Sequence, residues 1–295
     1  VSRGEAAGSD GRRGEPRLSH GYLEGVGGIR LFYRRWEVGA PRRRVVLVHG
    51  LGDHSGRFVR LGRELAARGC RVLAMDLRGH GRSRGRRGYA RSFGHLLRDL
   101  DRVRRGAAAA EDGPRPVSLL GHSMGGLVVL RYLQEFGAAP LHRVVAVAPY
   151  LRLAARVPGW KLALGDAADR FLPALTLESG LDEELLFRDP AEGEAHRSDP
   201  LVHSRISARL WGEMRRAATT LEGRAGELEF PVLFQVPGDD RVVDAAAVEQ
   251  LADAVGERAR VCRYEGAYHD LYHDPEGERA REDAAGWILG GGADT

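Results

Sequence analysis

Ser123 sits in the run Gly121-His122-Ser123-Met124-Gly125, followed by Gly126. The pattern is Gly-x-Ser-x-Gly, directly after the apolar stretch Val117 to Leu120 and directly before a helical pattern from Leu127. A strand–turn–helix setting of this kind holds a serine on a sharp turn above a sheet. The turn also lies at a helix N-terminus, where free N–H groups favour developing negative charge. Flanking glycines are needed because side chains there would meet neighbouring backbone. A serine hydroxyl attacks well only when a base takes its proton, so the chemistry implied is acyl transfer with a histidine and an acid as partners.

Those partners follow the serine in the order acid, then histidine. The run Val232 to Val236 leads into Pro237-Gly238-Asp239-Asp240-Arg241-Val242-Val243-Asp244. Asp240 is the acid of choice, with Asp239 second and Asp244 third. Taken singly, each aspartate also reads as a turn or helix-cap residue. Arg260 to Tyr264 leads into Glu265-Gly266-Ala267-Tyr268-His269-Asp270, which places His269 where the base belongs, ahead of His273 four residues on. The turn His49-Gly50-Leu51-Gly52 closes the strand Val45 to Val48 and resembles an oxyanion loop. The two backbone donors fall to Leu51 and to Met124, and His49 reads as a structural hydrogen-bonding residue.

The elements that must position these residues read as a mostly parallel, doubly wound α/β sheet with an N-terminal β-hairpin. Short apolar runs at Val45 to Val48, Val72 to Met75, Val117 to Leu120, Val144 to Val147 and Val232 to Val236 suit strands buried on both faces. A weaker run spans Arg260 to Tyr264. Helical patterns lie between them at Phe58 to Ala67, Phe93 to Ala110, Leu127 to Phe136 and Val248 to Val255, with Arg279 to Leu289 last. Tyr22 to Val26, Gly27-Gly28 and Ile29 to Trp36 predict the hairpin. The alternation breaks at 150–223, where helical pieces such as Trp160 to Phe171 and Ala208 to Leu221 follow one another without a convincing strand. That segment predicts a helical cap inserted between core parts 18–149 and 224–291.

Composition narrows the function classes. The chain has 295 residues and a net charge of +4, and its basic residues are arginines apart from Lys161. The arginines are interspersed with acids and accompany no nucleic-acid recognition motif, which disfavours nucleic acid as a partner. Cys70 and Cys262 provide no disulfide framework or metal-ligand spacing. No stretch of eighteen apolar residues predicts a spanning helix. Residues 1–17 lack the apolar run of a secretory signal and predict a disordered tail, so a cytoplasmic place, peripheral to membrane, is expected.

The stretches HGLGDHSGRF (49–58), DLRGHGRSRGRRGY (76–89), GHSMGG (121–126), PGDDRVVD (237–244) and YEGAYHDLYHDP (264–275) resemble the monoacylglycerol lipase and lysophospholipase branch of the α/β-hydrolases, grouped with the serine aminopeptidase S33 families. Ser198-Asp199-Pro200-Leu201-Val202 resembles the branch's short DPL signature. The resemblance covers about residues 18 to 290. It implies an α/β-hydrolase fold, Ser123, Asp240 and His269 as a triad, and Leu51 and Met124 at the oxyanion hole. It further implies a cap with an apolar tunnel for one acyl chain, approached from a membrane surface. The cap is where this sequence departs from its group, being short and arginine-rich.

The reading that follows is a serine esterase acting on a single-chain lipid ester, with no metal or organic cofactor. Leu151, Trp160, Leu164, Phe171 and Leu175 are the candidate acyl-pocket residues, along with Leu153, Leu162 and Leu172, although each also suits plain packing of cap on core. A short-chain esterase, or an aminopeptidase or amidase using Asp182, Glu183 and Glu184 to hold a substrate amine, shares the scaffold. A non-catalytic binding protein is a further alternative, disfavoured by the complete set of triad residue types. Ser123 at the elbow, where a dehalogenase carries an aspartate, disfavours that chemistry.

Overall fold

The fold, a computed structural model, describes residues 16–108, 113, 115–137, 140–155 and 157–290. Residues 1–15 of the expected tail lie outside these, and Arg17 already opens the first strand. The hairpin forms as expected. β1 (Arg17–Glu24) pairs antiparallel with β2 (Arg30–Glu37) across a turn containing Gly27 and Gly28, both at positive φ.

The central sheet has eight strands. The strands β3 (Arg43–Val48), β4 (Cys70–Met75), β5 (Val117–His122), β6 (Leu141–Val147), β9 (Val232–Pro237) and β10 (Ala259–Tyr264) all run parallel. The order is β1-β2-β4-β3-β5-β6-β9-β10, with β2 antiparallel to β4. The continuous apolar runs read in the sequence are the parallel strands, because both faces of each are covered. β3 illustrates this. Val45 and Leu47 point toward α1 (Val59–Ala67) and α9 (Gly277–Leu289), while Val46 and Val48 point toward α2 (Phe93–Ala108) and α3 (Met124–Phe136). All four are essentially inaccessible to solvent, and burial of such a side chain contributes about 1.5–3 kcal/mol. α8 (Ala245–Val255) completes the covering layer beside β9 and β10.

Between β6 and β9 lie α4 (Gly159–Phe171), α5 (Glu183–Leu186), α6 (Pro190–Arg197) and α7 (Ala208–Gly223). The segment is not wholly helical. β7 (Thr176–Glu178) and β8 (Arg205–Ser207) pair antiparallel as a second, two-stranded sheet. Three-residue strands are too short to carry an alternating pattern, so the sequence gives no sign of them. Among the described residues no helix is long and apolar enough to cross a membrane.

Candidate active site

Ser123 occupies the turn between β5 and α3, with φ 53° and ψ −118°. A non-glycine residue there is strained and persists only where its surroundings enforce it. Those surroundings are backbone. A Cβ at Gly121 would collide with the Gly125 carbonyl, and one at Gly125 would collide with the Val48 and His49 carbonyls. The chain therefore turns sharply enough to project the Ser123 hydroxyl beyond the ends of the parallel strands.

Three loops meet at that hydroxyl. Ser123 Oγ–H donates to His269 Nε2 at 2.9 Å, and His269 Nδ1–H donates to Asp240 Oδ2 at 2.8 Å. The other Asp240 oxygen accepts the Val242 and Val243 amides at 2.9 and 2.8 Å. Both carboxylate oxygens are thus held, and the side chain is buried. Of the alternatives, Asp239 faces solvent and pairs with Arg241, and Asp244 accepts the Ala246 amide as the cap of α8. His273 is turned away from Ser123 and donates through Nδ1–H to Asp270 at 2.8 Å.

Burial disfavours a charged His269, but the adjoining Asp240 carboxylate outweighs it and raises the imidazole pKa above 6.5. His122 fixes the same loop, donating from Nε2–H to the His269 carbonyl at 3.0 Å. Burial lowers the His122 pKa.

The 49–52 turn is held as firmly. His49 is fully buried, accepts the Leu77 amide at 2.9 Å and donates through Nδ1–H to the Gly50 carbonyl at 2.7 Å. Its structural reading fits these bonds. Gly50, Leu51 and Gly52 line a cleft shared with Ser123, His122 and His269. Met124, one residue past Ser123, opens α3 and is buried. Among the described residues the Leu51 and Met124 amides donate no hydrogen bond, which leaves both available to a ligand oxygen.

Sequence reading left two further clusters unassigned. Arg57 lies 3.3 Å from Asp270 and 4.0 Å from Asp53, beside the cleft. Burial opposes ionisation of Asp270, but His273 and Arg57 hold its carboxyl well below the usual range. The second cluster ties the DPL segment to the 49–54 turn. His54 Nε2–H donates to Asp199 at 3.0 Å, and the His203 amide donates to the Gly52 carbonyl at 2.9 Å. Gly52 has φ 78°, and a Cβ there would collide with the His203 carbonyl. All of these residues except His203 stand in the quoted motifs, but their spacing gave no hint of which partners they meet.

The candidate acyl-pocket residues have a different place. Leu151 is buried in the core beneath the sheet ends, whereas Trp160, Leu164, Phe171 and Leu175 are exposed, Phe171 at 73% and Trp160 at 66%. None of the five lines the cleft, nor do Leu153, Leu162 and Leu172. Its cap-side wall comes instead from Ser179, Leu181, Glu183, Leu186, His196 and Val202. Helical spacing reveals an apolar stripe but not whether it faces a cavity or solvent, and α4 turns its stripe outward. Of the three acids in the amine-site alternative, Glu183 reaches the cleft.

Comparison with known proteins agrees with this architecture. The family model described as "Serine aminopeptidase, S33" matches residues 39–276. The chain is 33% identical over 285 residues to a monoacylglycerol lipase of Mycolicibacterium smegmatis, covering 92% of this chain and 97% of that protein. It is 30% identical to the Homo sapiens monoglyceride lipase, covering 86% and 84% respectively. The crystal structure of Paleococcus ferrophilus monoacylglycerol lipase superposes with a TM-score of 0.81 at 32% identity, covering 89% of this chain and 99% of that one. The chain therefore has the α/β-hydrolase fold and belongs to the serine aminopeptidase S33 family, as a serine hydrolase of the monoglyceride lipase and phospholipase group.

Proposed function

We propose that this protein hydrolyses carboxylic esters of single-acyl-chain lipids, monoacylglycerol or lysophospholipid, through an acyl-enzyme on Ser123. The observation that carries the reading is the unbroken chain Asp240–His269–Ser123, with bonds of 2.8 and 2.9 Å, opening on a cleft beside Leu51. Ser123 Oγ attacks the ester carbonyl while neutral His269 takes its proton at Nε2. The carbonyl oxygen becomes an oxyanion held by the Leu51 and Met124 amides, each such donor contributing about 3 kcal/mol to the barrier reduction. The tetrahedral intermediate collapses, the C–O bond breaks, and the alcohol leaves with the proton from His269. Water then adds to the acyl-enzyme by the same route, releasing the fatty acid and restoring the serine. Asp240 fixes the imidazole tautomer and stabilises the transient imidazolium. No step calls for a metal or an organic cofactor.

The cap supports a lipid rather than a fully water-soluble substrate. Trp160, Leu164, Phe171, Leu172, Leu175 and Leu177 present large apolar side chains to solvent, a grouping suited to peripheral contact with lipid. The aminopeptidase alternative needs a free carboxylate for the substrate amine. Glu183 is engaged by Arg197 at 3.4 Å and by His196 at 3.6 Å, which speaks against that role.

A panel of monoacylglycerol, lysophospholipid, short nitrophenyl esters and aminoacyl anilides tests the assignment. Wild type is expected to favour the single-chain lipid esters and to label with a fluorophosphonate. Ser123→Ala is expected to fold normally and lose both behaviours. Turnover by Ser123→Ala would remove the nucleophile, and a preference for the anilides would remove the substrate class.

A further inference from the structure

We propose that an arginine face beside the cap, built from β2, the 76–89 loop and β8, binds the surface of an anionic lipid bilayer. This goes beyond the catalytic reading and rests on it only for the presence of a lipid substrate in that bilayer.

The loop is a rigid platform. The Asp76 carboxylate accepts the Arg82 amide at 2.7 Å and the Ser55 amide at 2.7 Å. Ser83 Oγ–H donates to the Asp76 carbonyl, while Ser83 Oγ accepts the Phe32 amide at 2.8 Å. The Arg84 amide donates to the Arg30 carbonyl at 2.9 Å, which fastens the loop to β2. On its other side the Ser207 amide donates to the Gly88 carbonyl at 2.9 Å, and a Cβ at Gly88 would collide with the Arg205 carbonyl. Arg30, Arg82, Arg84, Arg86, Arg87 and Arg205 therefore stand on three adjoining segments fastened to one another.

Their charge is uncompensated. Arg30, Arg82, Arg84, Arg86 and Arg205 are exposed, Arg87 is half-buried, and none makes an ion pair among the described residues. The carboxylates on neighbouring strands are Glu24, in register with Arg30, and Glu178, in register with Arg205, and neither closes to ion-pair distance. Arg87 has a buried Nη1 without an acceptor. Several arginines of the cap, by contrast, are matched. On the cap, Arg215 takes Asp166 at 2.6 Å, while Arg209 and Arg216 take Asp169 at 2.9 and 2.8 Å. Those pairs also neutralise the carboxylates of α4, leaving Lys161 and Arg170 beside the rings of Trp160 and Phe171.

The choice of lipid over another polyanion follows from what adjoins the arginines. β8 pairs with β7, whose Leu177 is 61% exposed and continues the apolar surface of the cap. Apolar side chains next to cations match a bilayer, with acyl chains beneath anionic headgroups, and have no counterpart on a nucleic-acid backbone.

The test is co-sedimentation of the full chain with vesicles of phosphatidylcholine alone and of phosphatidylcholine mixed with phosphatidylglycerol. Binding is expected to favour the anionic vesicles and to weaken as salt is raised. The double variant Arg84→Gln/Arg86→Gln is expected to bind them at least about tenfold more weakly, with hydrolysis of a short nitrophenyl ester unchanged. Equal binding to both vesicle types would overturn the proposal, as would undiminished binding by the double variant. Tighter binding of a DNA duplex than of anionic vesicles would reassign the face to nucleic acid. Turnover of monoacylglycerol is read separately, so a failure of either reading leaves the other standing.

Discussion

α3 and α4 are both thirteen residues long, but they differ in what surrounds them. Nine residues of α3 are buried, among them Met124 and both glycines after it, and its first turn is pressed against the β3 and β6 strand ends. In α4 the single buried residue is Asp169, and the apolar side chains face outward. The difference separates two physical demands. The proton transfer proposed between Ser123, His269 and Asp240 requires heavy atoms fixed within a few tenths of an ångström, and only dense packing provides that. The proposed contact with lipid requires apolar area turned outward, which a tightly packed helix lacks. Five substitutions test how sharply the molecule keeps the two apart.

The largest effect is expected at the base. His269→Ala should lower kcat by about 10⁴-fold or more, since the serine loses its proton acceptor. His273→Ala breaks the bond to Asp270 and an edge contact with Phe187, and should stay within about tenfold of wild type. Steady-state kinetics on a soluble ester measures both, and the reverse ranking would move the base to residue 273.

Asp240→Asn tests the electrostatics of the same packed centre. In the proposed mechanism His269 acts as a base only when neutral, and Asp240 raises its pKa above 6.5. Activity should therefore fall as pH drops through that raised value. Removing the carboxylate charge should move the acid-side inflection of kcat/KM downward and reduce kcat by about 10⁴-fold. An inflection that stays in place would mean that another group sets it.

Much of this centre was legible in the sequence. The strand run, glycines and serine at 117–126 form one local unit, so neighbouring residues report the whole turn. Asp240 and His269 were found through chain order, because each parallel strand delivers its following loop to the same sheet end. The links Asp199–His54 and Asp270–Arg57 join residues 145 and 213 positions apart, and no local pattern records such partners. The outward stripe of α4 escaped for a related reason. A single helix shows which residues share a face, but only its neighbours decide what that face meets, and Trp160 and Phe171 have solvent where a pocket was expected.

Glycine substitutions carry the comparison from activity to stability. Gly125→Ala introduces a Cβ into the Val48 and His49 carbonyls, and backbone on both sides prevents relief. The expected cost is at least about 3 kcal/mol, read as a lower denaturant midpoint. A loss under about 1 kcal/mol would show that the elbow has room, and the strain at Ser123 would then need another origin.

The smallest effect is expected in α4, and with the opposite sign. Gly165 lies in the helix interior, and a Cβ there would meet only the Trp211 indole, at 3.5 Å, an ordinary van der Waals contact. Alanine restricts the unfolded chain more than glycine and suits the helix better, so Gly165→Ala should stabilise the protein by about 0.5–1 kcal/mol. The gain appears in global unfolding only if α4 unfolds together with the core. If α4 opens separately, hydrogen exchange will show greater protection confined to 159–171 while the global midpoint stays where it was. A destabilised variant would mean that the cap is packed as closely as the elbow, and the contrast between α3 and α4 would fail.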